Sequence, residues 1–176
     1  MRLSGIVMDG RRMVAAHVGD ELAPLAPVDD FWADPTARMA EAGSVGRRLP
    51  LEHPRAAHLL PDSARVLCLG LNYRAHASEG RFETPDHPVI FGRWTASLVA
   101  DGAPVPVPVD EVGLDWEGEV AAVVGRSLCR VDPDVARSAV LGYAPFNDLT
   151  ARVTQKLTSQ WTLGKNAESS GPMGDV

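Results

Sequence analysis

A chain of 176 residues with an apolar fraction of 45% and a charged fraction of 23% is long enough to close one hydrophobic core, with room for a small appendage. Its 17 Lys and Arg against 23 Asp and Glu give a formal charge of −6, so no basic stripe is available for a nucleic-acid backbone or an anionic membrane. The N-terminal MRLSGIVMDGRR meets charge and a turn before a signal-like apolar stretch can form, and no run approaches the roughly 18 apolar residues of a membrane span. A cytoplasmic protein is expected, with Cys68 and Cys129, both flanked by apolar residues and outside any metal-ligating pattern, as buried thiols.

Two β-prone runs, Arg2–Met8 and Arg12–Val18, flank Asp9-Gly10, a dipeptide suited to a tight hairpin turn. Asp29 and Asp30 are expected to cap a helix running to about Ala42, with Pro35 early and Gly43 as its stop. Leu49–Pro61 follows as a connector, and a boundary is expected near Leu60. Beyond it the pattern predicts strands at Arg65–Leu71, Pro88–Trp94 and Glu117–Gly125, with proline-punctuated β structure over Gly102–Pro108. Asp132-Pro133 opens a helix, Leu141–Phe146 returns as a strand to Asn147-Asp148, and Trp161–Val176 shows no regular period.

The most informative spacing is Glu117-Gly118-Glu119. Side chains alternate along a strand, so these carboxylates project from one face with α-carbons roughly 6.5–7 Å apart, followed on that face by Ala121 and Val123. Two unpaired negative charges on an increasingly apolar surface are costly, and a shared cation would resolve the conflict. Oxygen ligands suit Mg²⁺, Mn²⁺ or Ca²⁺. Solvated glutamates on a strand edge are the competing reading. Asp148, after a strand, supplies a third carboxylate, with a helix cap for Thr150–Lys156 as its alternative. In His76-Ala77-Ser78-Glu79 a helical turn would pair the imidazole with a carboxylate that raises its basicity. His17, His53, His58 and His87 show no pairing pattern.

Taken in order, CLGLNYRAHASEG, FGRWTASLV, LDWEGEVAAVVGR, GYAPFNDLTARVTQ and QWTLGKNAESSGPMG resemble the fumarylacetoacetate hydrolase family from about Val66 to Gly174. The resemblance implies an α+β, β-dominated fold: a mixed β-roll over 61–176, preceded by a small N-terminal domain over 1–60. It implies that Glu117, Glu119 and Asp148 bind the divalent metal, that His76 with Glu79 activates water, and that Arg152, Gln155 and Lys165 hold substrate oxygens. Tyr73 and Arg74 sit beside the dyad, for packing and orientation more than for chemistry, with Tyr73 counted among the substrate-binding candidates. The bland alternatives are exposed helix positions for Arg152 and Gln155 and a solvated loop charge for Lys165. The chain departs from the family at Ala75 and Val153, where an aspartate is common, and at Arg93, where a lysine is. Family members also continue past the position of Val176, so the roll is expected to be incomplete and covered by a homodimer or another association.

The activity implied is metal-assisted cleavage of a carbon–carbon bond in a small anionic 2-oxo or β-diketo acid, of acylpyruvate or fumarylacetoacetate type. His76 and Glu79 would deprotonate water, and the metal with Lys165 would stabilise the departing enolate. Decarboxylation and keto–enol isomerisation use the same apparatus and stay open, as does a non-catalytic partner subunit. The sequence contains no GxGxxG after a strand, no GxSxG elbow and no P-loop motif, which sets aside dinucleotide-binding and nucleophilic-hydrolase readings.

Overall fold

The computed structural model describes residues 1–52, 55–73 and 85–176. Asp9 and Gly10 take φ of 51° and 74°, the two positive angles of a two-residue hairpin turn, and join β1 (Leu3–Met8) to β2 (Arg11–Val18) as their dipeptide predicts. A second turn at Gly19 leads into β3 (Glu21–Pro27), which the sequence pattern does not announce. Pro24 and Pro27 bring no N–H to a ladder, and β3 accommodates them with a register shift between Val14 and Ala15 of its partner. Within the expected connector lie β4 (Leu49–Pro50) and β5 (Arg55–Ala57), which complete an antiparallel sheet in the order β4-β3-β2-β1-β5.

The single expected helix is two: α1 (Val28–Ala33) and α2 (Pro35–Ala40). Pro35 forces the residue before it out of the helical region, and Asp34 sits at φ −152° and ψ 79°. Its carboxylate then accepts the Ala37 N–H at 3.0 Å and caps α2, whereas Asp29 and Asp30 lie inside the first turn of α1 and cap nothing. Phe31, fully buried, packs with Leu3, Val14, Val28 and Leu59 between helix and sheet, and the Trp32 indole N–H donates to Leu59 O at 2.7 Å.

The rest of the chain forms β6 (Val66–Gly70), β7 (Val89–Arg93), β8 (Leu98–Ala100), β9 (Leu114–Asp115), β10 (Gly118–Val124), α3 (Pro133–Ser138), β11 (Val140–Asn147), β12 (Thr150–Ala151), α4 (Arg152–Gln155), α5 (Thr162–Lys165) and β13 (Gly171–Met173). A four-stranded sheet runs β10-β11-β13-β8, antiparallel except for the parallel pair β13–β8, beside the two-stranded pairs β6–β7 and β9–β12. This is the mixed, β-dominated α+β arrangement expected. Leu3 and Val176 exchange N–H···O bonds of 2.7 and 3.0 Å, and Trp32 and Leu60 pack against Val123, Ala144 and Met173, so the two larger sheets share apolar contacts. Among the described residues no helix is long and apolar enough to cross a membrane.

Several local expectations need correction. Gly102–Pro108 is irregular because its alternate prolines leave too few donors for a ladder. Asp132 makes no side-chain cap bond to α3, and Trp161–Val176 contains α5 and β13. Cys129 is exposed in the loop after β10, and Cys68 is half-buried. Two histidines find partners: His17 Nε2 stands 2.6 Å from Ser4 Oγ and 3.4 Å from Asp175 Oδ2. Both partners meet the same nitrogen, so this is no proton relay. His58 Nε2 lies 2.8 Å from Arg12 Nη1.

Phe31→Ala is expected to cost about 3–5 kcal/mol in urea unfolding; a loss below about 1 kcal/mol would mean the cluster does not hold this sheet. The His58 imidazole is pushed down to about 4 by burial and then by Arg12. The unfolded chain takes up that proton near pH 6.5 and the folded chain only near pH 4, so stability falls as pH drops through this window. His58→Gln is expected to flatten that stretch of the pH–stability curve, and an unchanged slope would remove His58 as its source.

Candidate active site

Alternation along β10 turns Glu117, Glu119, Ala121 and Val123 inward and leaves Gly118, Val120, Ala122 and Val124 exposed. Pairing with β11 in the register Gly118↔Asn147 brings the far end of that strand alongside. The Asn147 side-chain oxygen accepts the Glu117 N–H at 3.0 Å, and Asp148 N–H donates to Glu117 O at 2.9 Å. Glu117 and Asp148, far apart in the chain, thus present their carboxylates to one cavity of about 740 Å³. Glu119, Arg152, Gln155, Lys165 and Tyr73 line the same space, with Phe91 and Trp161 as aromatic wall.

Lys165, at the end of α5, is 2% exposed, so its charge is not solvated. Its Nζ donates to Glu117 Oε2 and Asp148 Oδ2, each at 2.6 Å, and lies 5.0 Å from the centre of the Phe91 ring. Arg93, 3% exposed, reaches Asp148 from the other side with Nε 2.5 Å from Oδ1. Its remaining N–H groups go to the Ser97 and Ser170 hydroxyls and to the carbonyls of Leu149 and Ser170. Both oxygens of Asp148 are therefore held, and it does not cap the helix that follows: α4 begins only at Arg152, behind β12. Arg152 joins Glu117 Oε1 at 2.6 Å to Asp115 Oδ2 at 2.9 Å and donates to Gln155 Oε1 at 3.1 Å.

The two glutamates diverge in acidity. Burial would raise the Glu117 carboxyl, but Lys165 and Arg152 outweigh it and hold the group below its ordinary value. Glu119 is raised, first by burial and then by the negative charges of Glu117 and Asp148; a hydrogen bond from Tyr73 and the charge of Lys165 only partly offset this. No ion pair reaches Glu119 among the described residues. The Cys68 thiol on the same cavity wall is pushed up to about 12, by burial and then by Asp148, and is no nucleophile at neutral pH.

Three carboxylates around one cavity, one of them destabilised by the others' charge, form an all-oxygen donor set whose chemistry fits a hard divalent cation. As the side chains stand, no three His, Cys, Asp or Glu among the described residues reach metal-ligating spacing, and the Lys165 ammonium lies between Glu117 and Asp148. The structure brings together Tyr73, Glu117, Glu119, Asp148, Arg152, Gln155 and Lys165. His76 and Glu79, with Arg74, lie outside the described residues. Sequence reasoning gave no role to Arg93, Asp115 or Glu111, although two signals were present. Arg93 ends an apolar strand at an inward position, and Asp115 stands two residues before Glu117.

A family profile described as fumarylacetoacetate (FAA) hydrolase C-terminal matches residues 65–176. A Burkholderia ambifaria protein with a provisional hydrolase name is 33% identical over 172 residues, covering 94% of this chain and 58% of its own length. Among solved structures, a fumarylacetoacetate hydrolase from Exiguobacterium antarcticum superposes with a TM-score of 0.73 at 26% identity, covering 98% of this chain and 64% of that one. A 2-hydroxyhepta-2,4-diene-1,7-dioate isomerase from Mycobacterium marinum gives 0.75 at 27%, covering 99% and 64%. The chain thus spans about three fifths of the length of the proteins it matches.

Lys165→Met is expected to cost about 3–5 kcal/mol in urea unfolding of chelator-treated protein, because Glu117 and Asp148 keep their charges and lose their ammonium. A change under about 1 kcal/mol would show that the three groups are not coupled.

Proposed function

From membership of the fumarylacetoacetate hydrolase family, to which the chain belongs, we propose that the complete protein hydrolyses a carbon–carbon bond in a small 2-oxo or β-diketo acid with a divalent metal. The observation that carries the reading is the cluster of Glu117, Glu119 and Asp148 with Lys165 and Arg152 on one cavity.

Glu117, Glu119 and Asp148 would hold Mg²⁺, Mn²⁺ or Ca²⁺, which supplies Lewis-acid polarisation of the oxo oxygen and neutralises an anionic substrate. Arg152 and Gln155 offer N–H donors to the substrate's carboxylate and orient it. His76 with Glu79, in the roles the family resemblance implies, would take a proton from the water that attacks the distal carbonyl. As the carbon–carbon bond breaks, its electron pair passes to the enolate, and the proton held by His76 returns to that carbon when the enolate collapses to the keto product. Lys165 Nζ, whose ammonium has one N–H beyond those given to Glu117 and Asp148, would donate it to the enolate oxygen in the transition state.

A second reading, isomerisation of a hydroxy-dienoic or oxo-acid substrate, draws support from the isomerase name of the M. marinum relative. It uses the same donors without attack by water, and decarboxylation is a third outcome of that chemistry.

Incubation with acetylpyruvate and Mg²⁺ is expected to release pyruvate and acetate, and chelation to stop turnover; metal-dependent release of pyruvate and carbon dioxide from oxaloacetate would mark the decarboxylation outcome instead. Glu119→Ala is expected to lower kcat/KM by about 100-fold or more and to weaken Mg²⁺ binding in calorimetry. Absence of metal-dependent turnover of either acid, together with undiminished Mg²⁺ affinity in the variant, would sink the reading.

A further inference from the structure

Glu111 is 7% exposed and has no Lys or Arg partner among the described residues. Its carboxylate accepts four bonds. Oε1 takes the N–H groups of Gly113 at 2.9 Å and Val153 at 3.1 Å; Oε2 takes the Thr154 N–H at 3.1 Å and the Thr154 hydroxyl at 2.9 Å. Burial opposes its ionisation, but these donors outweigh it and hold the carboxyl below its ordinary value. A buried carboxylate compensated by amides and one hydroxyl is a costly way to add stability alone. A neutral amide could not replace it, since its NH₂ would confront an N–H of Val153 or Thr154.

What those donors belong to gives the carboxylate its meaning. Val153 and Thr154 open α4, a helix of four residues that carries Arg152 and Gln155. One turn has almost no intrinsic stability, because its nucleus orders several residues for a single hydrogen bond. It is fixed from outside by Glu111 and, in the same segment, by the bond from Arg152 N–H to Gly113 O at 3.0 Å and the β9–β12 pairing. Glu111 does not line the cavity.

We propose that Glu111 is a positioning residue: its carboxylate clips the first turn of α4 to the 111–113 segment and so fixes Arg152 and Gln155 for the substrate's oxygens. The substrate part of this claim rests on the proposed function; the clip itself does not. Displacing an orienting donor by a fraction of an ångström weakens binding, whereas the chemistry at Lys165 and the carboxylates stays in place.

The test compares wild type, Glu111→Gln, Arg152→Met and the double variant as Mg²⁺-loaded protein. The probe is oxalate, an unreactive dianion with the adjacent oxygens of a 2-oxo acid, alongside acetylpyruvate kinetics. Glu111→Gln is expected to raise the oxalate Kd and the acetylpyruvate KM by about tenfold with kcat changed less than about threefold. The double variant should lose less oxalate affinity than the two single losses summed, because part of what Glu111 fixes is already gone in Arg152→Met. Amide exchange should rise at residues 152–155 and not in β10 or β11. Wild-type-like oxalate binding in Glu111→Gln, additive loss in the double variant, or exchange that rises equally in β10 and β11 would overturn the proposal. Should wild type neither bind oxalate nor turn over an oxo acid, the functional reading falls, and exchange decides the clip: a selective rise at 152–155 upholds it and none refutes it. If Glu111→Gln does not fold, Thr154→Val removes one of the four donors and is judged by the same exchange pattern and a Kd rise of about threefold.

Discussion

The Lys165 ammonium sits where burial removes nearly all its hydration, and the two carboxylates that flank one end of the β10–β11 pair replace that hydration. Three parts of the fold meet in this contact: the residue that leads into β10, the turn after β11 and the last residue of α5. Arg93 repeats the device behind Asp148 with all its donors engaged. Removing one member of such a group leaves the others charged and buried, which costs more than the intact group contributes. The arrangement therefore specifies the geometry of the cavity more than it adds to stability. Asp148, gripped at both oxygens, has one available orientation.

The charges around the cavity do not balance side by side. Lys165, Arg93 and Arg152 are spent on Glu117, Asp148 and Asp115, and among the described residues Glu119 has a phenolic hydrogen bond and the more distant charge of Lys165 against the repulsion of its neighbours. Arg152 accordingly brings N–H geometry to a ligand more than net positive charge. An anion entering this cavity meets a negative potential at Glu119, and a hard cation is what would turn that repulsion into attraction. The electrostatics on which an oxo-acid substrate depends are thus asymmetric, concentrated on one glutamate.

What could be read from the sequence was whatever depended on neighbours in the chain. Asp9-Gly10 announced its hairpin because the turn needs two positive φ angles, and Glu117-Gly118-Glu119 announced a shared face because strand geometry alternates. Asp148 was legible as a third carboxylate at the end of a strand, and family resemblance added Arg152, Gln155 and Lys165; the fold does bring all four to one cavity. Contacts made across long separations were not legible. Arg93 meets Asp148 from 55 residues away and Glu111 meets Thr154 from 43, and neither partner marks the other locally. The strand β3 escaped notice because its prolines argue against pairing until the register shift in β2 is known. Asp34 escaped because Asp29 and Asp30 offered an equally good cap earlier.

The cavity wall that would meet a substrate is built from pieces too short to hold themselves. The helices α4 and α5 have four residues each, and they touch so closely at Gly164 that a Cβ there would stand 2.6 Å from Gln155 backbone and side-chain atoms. That approach admits only glycine, for reasons of space and not of dihedral angle. It locks the segment bearing Arg152 and Gln155 to the one bearing Lys165. Each segment also has its own anchor: Glu111 holds the first, and the buried ammonium, through Glu117 and Asp148, holds the second. Precision at this wall comes from such clasps between short segments, so a change that loosens the Glu111 clasp displaces Arg152 and Gln155, while Lys165 keeps its own hold on Glu117 and Asp148.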